Sequence, residues 1–150
     1  YDPRNVIKLP DTKLFHHNII VRNLSSDEMR KLQNECGIHI CLGTSESFGH
    51  YIHEAQACKA VPIIMDGAPM NEFVGGDNGF LVKPVDKKTH GFYSDYIASR
   101  DTFYDAFELL QEMSIEDRKK VGEKSRKVYL ERRKKYEETS QKWVMDILNG

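Results

Sequence analysis

Glu46 and Glu54 are separated by seven residues in the stretch Thr-Ser-Glu-Ser-Phe-Gly-His-Tyr-Ile-His-Glu-Ala, residues 44–55. Between them lie Gly49, His50 and His53. One carboxylate accepts two hydroxyl hydrogen bonds at once, so a pair of them suits a ligand rich in hydroxyls. Gly49 marks a helix start, and a helix start offers unpaired N–H groups and partial positive charge to a phosphate. Glycine there also removes the side chain that would block close approach of a phosphate to the backbone. Two carboxylates around a phosphate pocket suit a sugar nucleotide, which carries hydroxyls on both sides of a diphosphate.

Other chemistries fit these residues less well. His50 and His53 are three apart beside Glu54, and such residues share a helix face. The zinc signature His-Glu-x-x-His is missing, however, and no metal is expected. His50, at the helix start, is the better placed of the two to meet a phosphate, and His53 is expected to pack or to face solvent. Gly-Thr-Ser-Glu-Ser, residues 43–47, differs from a nucleophile elbow at its last position, which argues against a hydrolase. Gly75–Gly79 is a turn by composition. His39 is expected in the core, satisfied, and His16 and His17 on the surface. Cys36, Cys41 and Cys58 read as small buried or half-buried residues.

The elements around the stretch place it at one edge of a sheet. Asn18–Asn23 reads as a short strand. Residues 24–37 read as a helix capped by Ser25 or Ser26, with Asp27 and Glu28 in its first turn and Gly37 as its stop. Ile38–Leu42 is a second strand, apolar enough to be central. A loop leads to the helix that starts near Phe48 or Gly49 and ends near Lys59. Val61–Met65 is a third strand, Met70–Val74 a single helical turn, and Gly79–Pro84 a fourth strand. Residues 85–100 are expected to be loop with one irregular turn. Beyond them Phe103, Phe107 and Leu110 share the apolar face of a helix. One or two more helices complete a helical tail over about 101–149. Strand and helix alternate, which predicts an α/β fold with a parallel, Rossmann-like sheet and flanking helices. In such sheets ligands bind beyond the carboxyl ends of the strands, where Glu46 lies.

The chain has 150 residues, 39% hydrophobic and 30% charged, which is the composition of a globular domain rather than of disorder. One domain, itself partial, is expected over 1–150. Three cysteines without a Cys-x-x-Cys pair favour a reducing compartment, so a cytoplasmic location is expected. No apolar run is long enough to span a membrane. The chain opens on Tyr-Asp-Pro-Arg-Asn without Met or a visible signal peptide, and a longer parent protein is expected.

Residues 46–86 also resemble a known family. Glu-x-Phe-Gly, the second glutamate after seven residues, and the Ala behind it are followed by Val61-Pro62 leading into a strand. A Gly/Pro loop with Glu72 comes next, then Asn-Gly-Phe-Leu-Val and a Pro. In this order the features are similar to the donor-binding, C-terminal half of retaining GT-B glycosyltransferases of group 1. The resemblance implies transfer of a sugar, hexosyltransferase-like, from a UDP- or GDP-linked donor with retained anomeric configuration. It implies no cofactor and no bound metal. It places Glu46 at the catalytic position, on the hydroxyls of the donor hexose, and Glu54 on the ribose. The backbone near Gly49, His50 and Tyr51, in the segment with Ser47 and Phe48, would hold the phosphates. Asn23 and Leu24, at a strand-to-helix corner, would meet the base. Glu72 would shape the neighbouring loop.

Three departures accompany the resemblance. The basic residues that neutralise the diphosphate in this family precede the segment present here. The N-terminal acceptor-binding domain is absent. Glu-Ala-Gln-Ala-Cys-Lys-Ala-Val-Pro carries Lys59 and Ala60 where a glycine is usual. Lys59 is therefore expected to meet the last helix carbonyls in place of a glycine cap. The chain alone is expected to be inactive, with its acceptor (glycan, lipid or protein) undefined. The alternative is a non-catalytic nucleotide-binding or protein-interaction module on the same fold.

The formal net charge is -1, but residues 116–142 carry 11 basic and 6 acidic side chains. The mixed signs favour a solvated helix face over a nucleic-acid surface, while peripheral contact with an anionic membrane stays open. Tyr129, Tyr136 and Trp143 recur every seven residues as a packing stripe.

Overall fold

The computed structural model describes residues 23–149. The strand expected at Asn18–Asn23 lies outside these residues except for Asn23, as do His16 and His17. The first helix, α1, spans Ser26–Glu35 and opens on a complete capping box: Ser25 accepts from the Glu28 N–H, and Glu28 reaches back to the Ser25 N–H. Strand β1 follows at Ile38–Cys41, then helix α2 at His50–Ala57 and strand β2 at Val61–Met65. A 3-10 turn at Met70–Glu72 precedes strand β3 at Phe80–Val82.

These three strands form a parallel sheet in the order β1-β2-β3, with helices on both faces. All five residues of β2 are buried. On one face Ile64 and Met65 meet Ile52 and Ala55 of α2. On the other, Val61, Ile63 and Val82 meet Ala106 and Leu110 of helix α3, Arg100–Glu112, with Phe103 and Phe107 packed alongside as their spacing predicts. The expected α/β, Rossmann-like arrangement is present.

Among the described strands β2 is paired on both sides and covered on both faces, and Ile40 of β1 is 56% exposed. The strand expected before α1 lies, apart from Asn23, outside the described residues. One expectation is corrected. Residues 85–100 were expected to be loop. They contain a β-hairpin, β4 at Asp86–His90 paired antiparallel with β5 at Tyr93–Ile97. Gly91 takes φ +62° at the first turn position, while Phe92 stays out of the left-handed region, as a two-residue II′ turn requires.

The last helix, α4, is a single element of 35 residues, Ile115–Asn149. Its first half packs on the body through buried Gly122 and Ser125, and residues 141–149 are exposed throughout. No helix of the described residues is long and apolar enough to cross a membrane.

Candidate functional site

The loop after β1 carries Thr44 to Phe48 and ends at Gly49, which caps α2 in the left-handed region at φ +67°. That conformation costs an L-residue roughly 1–2 kcal/mol, so the backbone itself favours glycine there. Space adds to the requirement, because a Cβ there would stand 3.1 Å from Ile52 Cδ1. The Gly49 carbonyl accepts from the N–H groups of Ile52 and His53 at 2.9 and 3.2 Å. No side chain caps the helix. The His50 and Tyr51 N–H groups belong to the first turn, where no intrahelical carbonyl is available.

The two carboxylates are held differently. Glu46 is half-buried beside Tyr51, whose hydroxyl lies over Gly43 so closely that a Cβ on Gly43 would overlap it. Burial, and then the negative charge of Glu46, push the Tyr51 phenol up to about 12. Glu54 is exposed and accepts from Gln33 Nε2 of α1 at 2.7 Å. The Gln33 carbonyl in turn lies 3.0 Å from His39 Nε2. His39 is thus satisfied, but half-buried rather than in the core as expected.

Asn23, exposed, and Leu24, half-buried, immediately precede the Ser25 cap. The tie between α1 and the Glu54 helix runs through Gln33 near the other end of α1. Ser47 and Phe48 are exposed in the loop, and the Phe48 ring lies 4.6 Å from His50 and 5.1 Å from His53. His53 packs, as expected of it: its ring meets Phe73 edge-on at 4.7 Å and Tyr129 at 6.0 Å. Burial, and then the Arg132 and His50 charges, lower its pKa. A pocket of about 540 Å³ opens here between α2 and α4, lined by His50, His53, Glu54, Phe73, Tyr129 and Arg132 among others. Among the described residues no three of His, Cys, Asp and Glu gather as metal ligands. Burial, and secondarily the Glu54 charge, push the Cys41 thiol up to about 12, so it is no ready nucleophile.

Helix α4 fixes the frame around this site. Lys59 takes φ 59° after α2, and the Lys59 and Ala60 N–H groups donate to the Gln56 and Ala55 carbonyls at 3.2 and 3.1 Å. That is a Schellman closure with lysine in the glycine position. The Lys59 ammonium was expected to meet the last carbonyls of α2. Instead it pairs with Glu123 at 2.8 Å, and the Arg126 guanidinium of α4 donates to the Ala57 carbonyl. Once the backbone turns left-handed at residue 59, the side chain points at α4 rather than along α2. Arg132 likewise donates to the Glu72 carbonyl and covers the Phe73 ring at 5.2 Å. The loop that Glu72 was expected to shape is thus itself held by α4.

Gln33, Arg126 and Arg132 carry no local signal in the sequence, since each acts on a segment distant along the chain. Tyr51 stood in the candidate set for its backbone alone, whereas its side chain is what meets the Glu46 loop.

No curated protein matches the chain. Residues 9–128 match the sequence model of a family described as Glycosyl transferases group 1. That match covers most of the chain, including both glutamates, the left-handed helix start and the first turns of α4 with Gly122 and Arg126. The half-sheet with its C-terminal helix agrees with the C-terminal half of a GT-B fold, and the chain belongs to the group 1 glycosyl transferases.

Proposed function

We propose that this chain holds the nucleotide-sugar donor of a retaining glycosyltransferase, UDP- or GDP-linked. The diphosphate lies against the first turn of α2, the hexose faces Glu46 and the ribose faces Glu54. Asn23 and Leu24 face the base. The observation that carries this reading is the uncapped, left-handed start of α2 with one carboxylate on the preceding loop and another on the helix itself.

The helix start would favour the negative charge that builds on the leaving diphosphate as the sugar bond breaks. Glu46 would fix the hexose and face the positive charge that develops on the sugar ring. No residue of the described set need become a covalent nucleophile for this. An acceptor-binding domain outside these residues completes the enzyme, which acts in the cytoplasm on a glycan, lipid or protein.

Calorimetry of the full-length protein with UDP, GDP and their sugar conjugates tests the assignment. Glu54→Ala should weaken plain nucleotide by about 1–3 kcal/mol. Glu46→Ala should spare plain nucleotide and weaken the sugar conjugate. Absence of binding by either nucleotide to the full-length wild type overturns the reading.

One observation favours the second reading, a non-catalytic binding module. Trp143, Val144, Ile147 and Leu148 are all more than half exposed on α4, a surface suited to interaction. Nucleotide binding without turnover in the full-length protein would select it.

A further inference from the structure

The loop that carries Glu46 is held at two points. The Tyr96 N–H of β5 donates to the Thr44 carbonyl at 2.8 Å. The Tyr51 side chain, from the first turn of α2, reaches Gly43. A Cβ on Gly43 would overlap the Tyr51 hydroxyl and stand 3.3 Å from Glu46 Cγ. Glycine at 43 therefore leaves one small space into which the phenol and the Glu46 side chain both reach.

The Tyr51 hydroxyl is buried, and no hydrogen bond of full geometry satisfies it within the described residues. A buried hydroxyl without a partner is costly and uncommon in folded proteins. Three groups face this one. The Cys41 thiol is a weak acceptor, and its own proton points to the Tyr51 carbonyl at 3.9 Å. The Gly43 backbone lowers the phenol, as a donor to its oxygen does, and leaves the hydroxyl proton still to find an acceptor. Glu46 supplies one. Burial raises the phenol most, the Glu46 charge comes next, and the nearness of the Glu46 acceptor oxygens adds in the same direction. A phenol raised to about 12 keeps its proton at neutral pH, so Tyr51 meets the carboxylate as a donor.

The consequence falls on the ligand. A glutamate on a loop has several free torsions, and ordering it on binding costs entropy. A donor that fixes one carboxylate oxygen leaves the other set toward the ligand and removes that cost beforehand. The Thr44 tie keeps the loop backbone in place, so the hydroxyl acts on the side chain rather than on the fold.

We propose that Tyr51 is a positioning residue: its hydroxyl donates to the Glu46 carboxylate and sets that side chain for the hexose, so that sugar-bearing nucleotide is preferred over bare nucleotide. The effect on the hexose rests on the donor reading above. The bond between Tyr51 and Glu46 does not.

Two measurements on the full-length protein test this, and neither depends on the other. In urea denaturation, Tyr51→Phe should lower the midpoint of the wild type, but leave the midpoint of Glu46→Ala unchanged or raise it. An equal drop in both backgrounds overturns the proposal. In calorimetry with UDP, GDP, UDP-glucose and GDP-mannose, the ratio of sugar-conjugate to plain-nucleotide affinity should fall roughly fivefold in Tyr51→Phe. Plain-nucleotide affinity should hold, because the backbone N–H of residue 51 is the same in both proteins. An unchanged ratio overturns the proposal. An equal loss for conjugate and plain nucleotide also overturns it, in favour of simple packing under α2. A background-dependent midpoint with no nucleotide bound by the wild type sinks the donor reading and leaves the Tyr51–Glu46 bond standing.

Discussion

Gly122 of α4 rests directly on the Lys59 carbonyl, so that a Cβ at 122 would overlap the oxygen. The contact joins the last helix to the backbone that closes the glutamate-bearing helix. Glycine inside a helix usually costs about 1 kcal/mol relative to alanine, so alanine would help if space allowed. Space does not allow it, because the atom met is backbone. Gly122→Ala should therefore destabilise the protein by about 1–3 kcal/mol, seen as a lower denaturation midpoint at an unchanged m-value.

Gly49 is held by conformation more than by room. Gly49→Ala would place an L-residue at φ +67° and crowd Ile52 Cδ1. A stability loss of about 1–2 kcal/mol is expected from the backbone alone. If the phosphates lie at this turn, calorimetric nucleotide affinity should fall further than stability does, since the first-turn N–H groups would be re-aimed.

Gln33 orients Glu54 through a bond of 2.7 Å between exposed groups. Gln33→Ala should leave the melting temperature nearly unchanged. If Glu54 holds the ribose as proposed, the change should weaken nucleotide binding by about 0.5–1.5 kcal/mol, because the carboxylate loses its positioning donor. Gln33→Glu should weaken it more, through like-charge repulsion, and the excess should shrink at high salt.

His53 gives stability an acid-side pH dependence. Its pKa is lowered in the folded state from 6.5, so the unfolded chain takes up the proton first as pH falls. The stability that His53 contributes is present above pH 6.5 and is lost as pH falls through its lowered folded value. Urea midpoints of the wild type should therefore drop more steeply below that pH than those of His53→Gln. Parallel curves for the two proteins would count against the burial and charge effects described for this ring.

Tyr51 and Cys41 act at the opposite end of the scale. Both are raised to about 12, from 10.0 and 9.0 respectively. Their contributions are complete below those lower values and are lost as pH climbs through the folded ones. Thermal melts of Tyr51→Phe should fall less between pH 10 and 12 than those of the wild type.

The geometry of the candidate site was legible where its signals were local. Gly49, the two glutamates and the helix between them sit within a few residues of one another, and the capping residues of α1 announce themselves in the same way. The hairpin was not legible. Its strand β4, Asp-Lys-Lys-Thr-His, is exposed along its whole length, so no apolar alternation marked it, and Gly91 alone did not suffice. Lys59 concealed a helix closure because that turn is usually read from glycine. The ties that fix the site, Gln33 to Glu54, Arg126 to Ala57 and Arg132 to Glu72, join segments far apart in the chain. Spacing within one stretch carries no trace of them.

Helix α4 has a mechanical consequence of its own. At 1.5 Å per residue its 35 residues measure ~50 Å, longer than a small domain is wide. Its first half is clamped through Gly122, Arg126 and Arg132, so the remainder is a strut with a built-in heading. Whatever meets Trp143 and Leu148 at the far end is held at a fixed offset from the two glutamates, and α4 acts as the ruler that sets it.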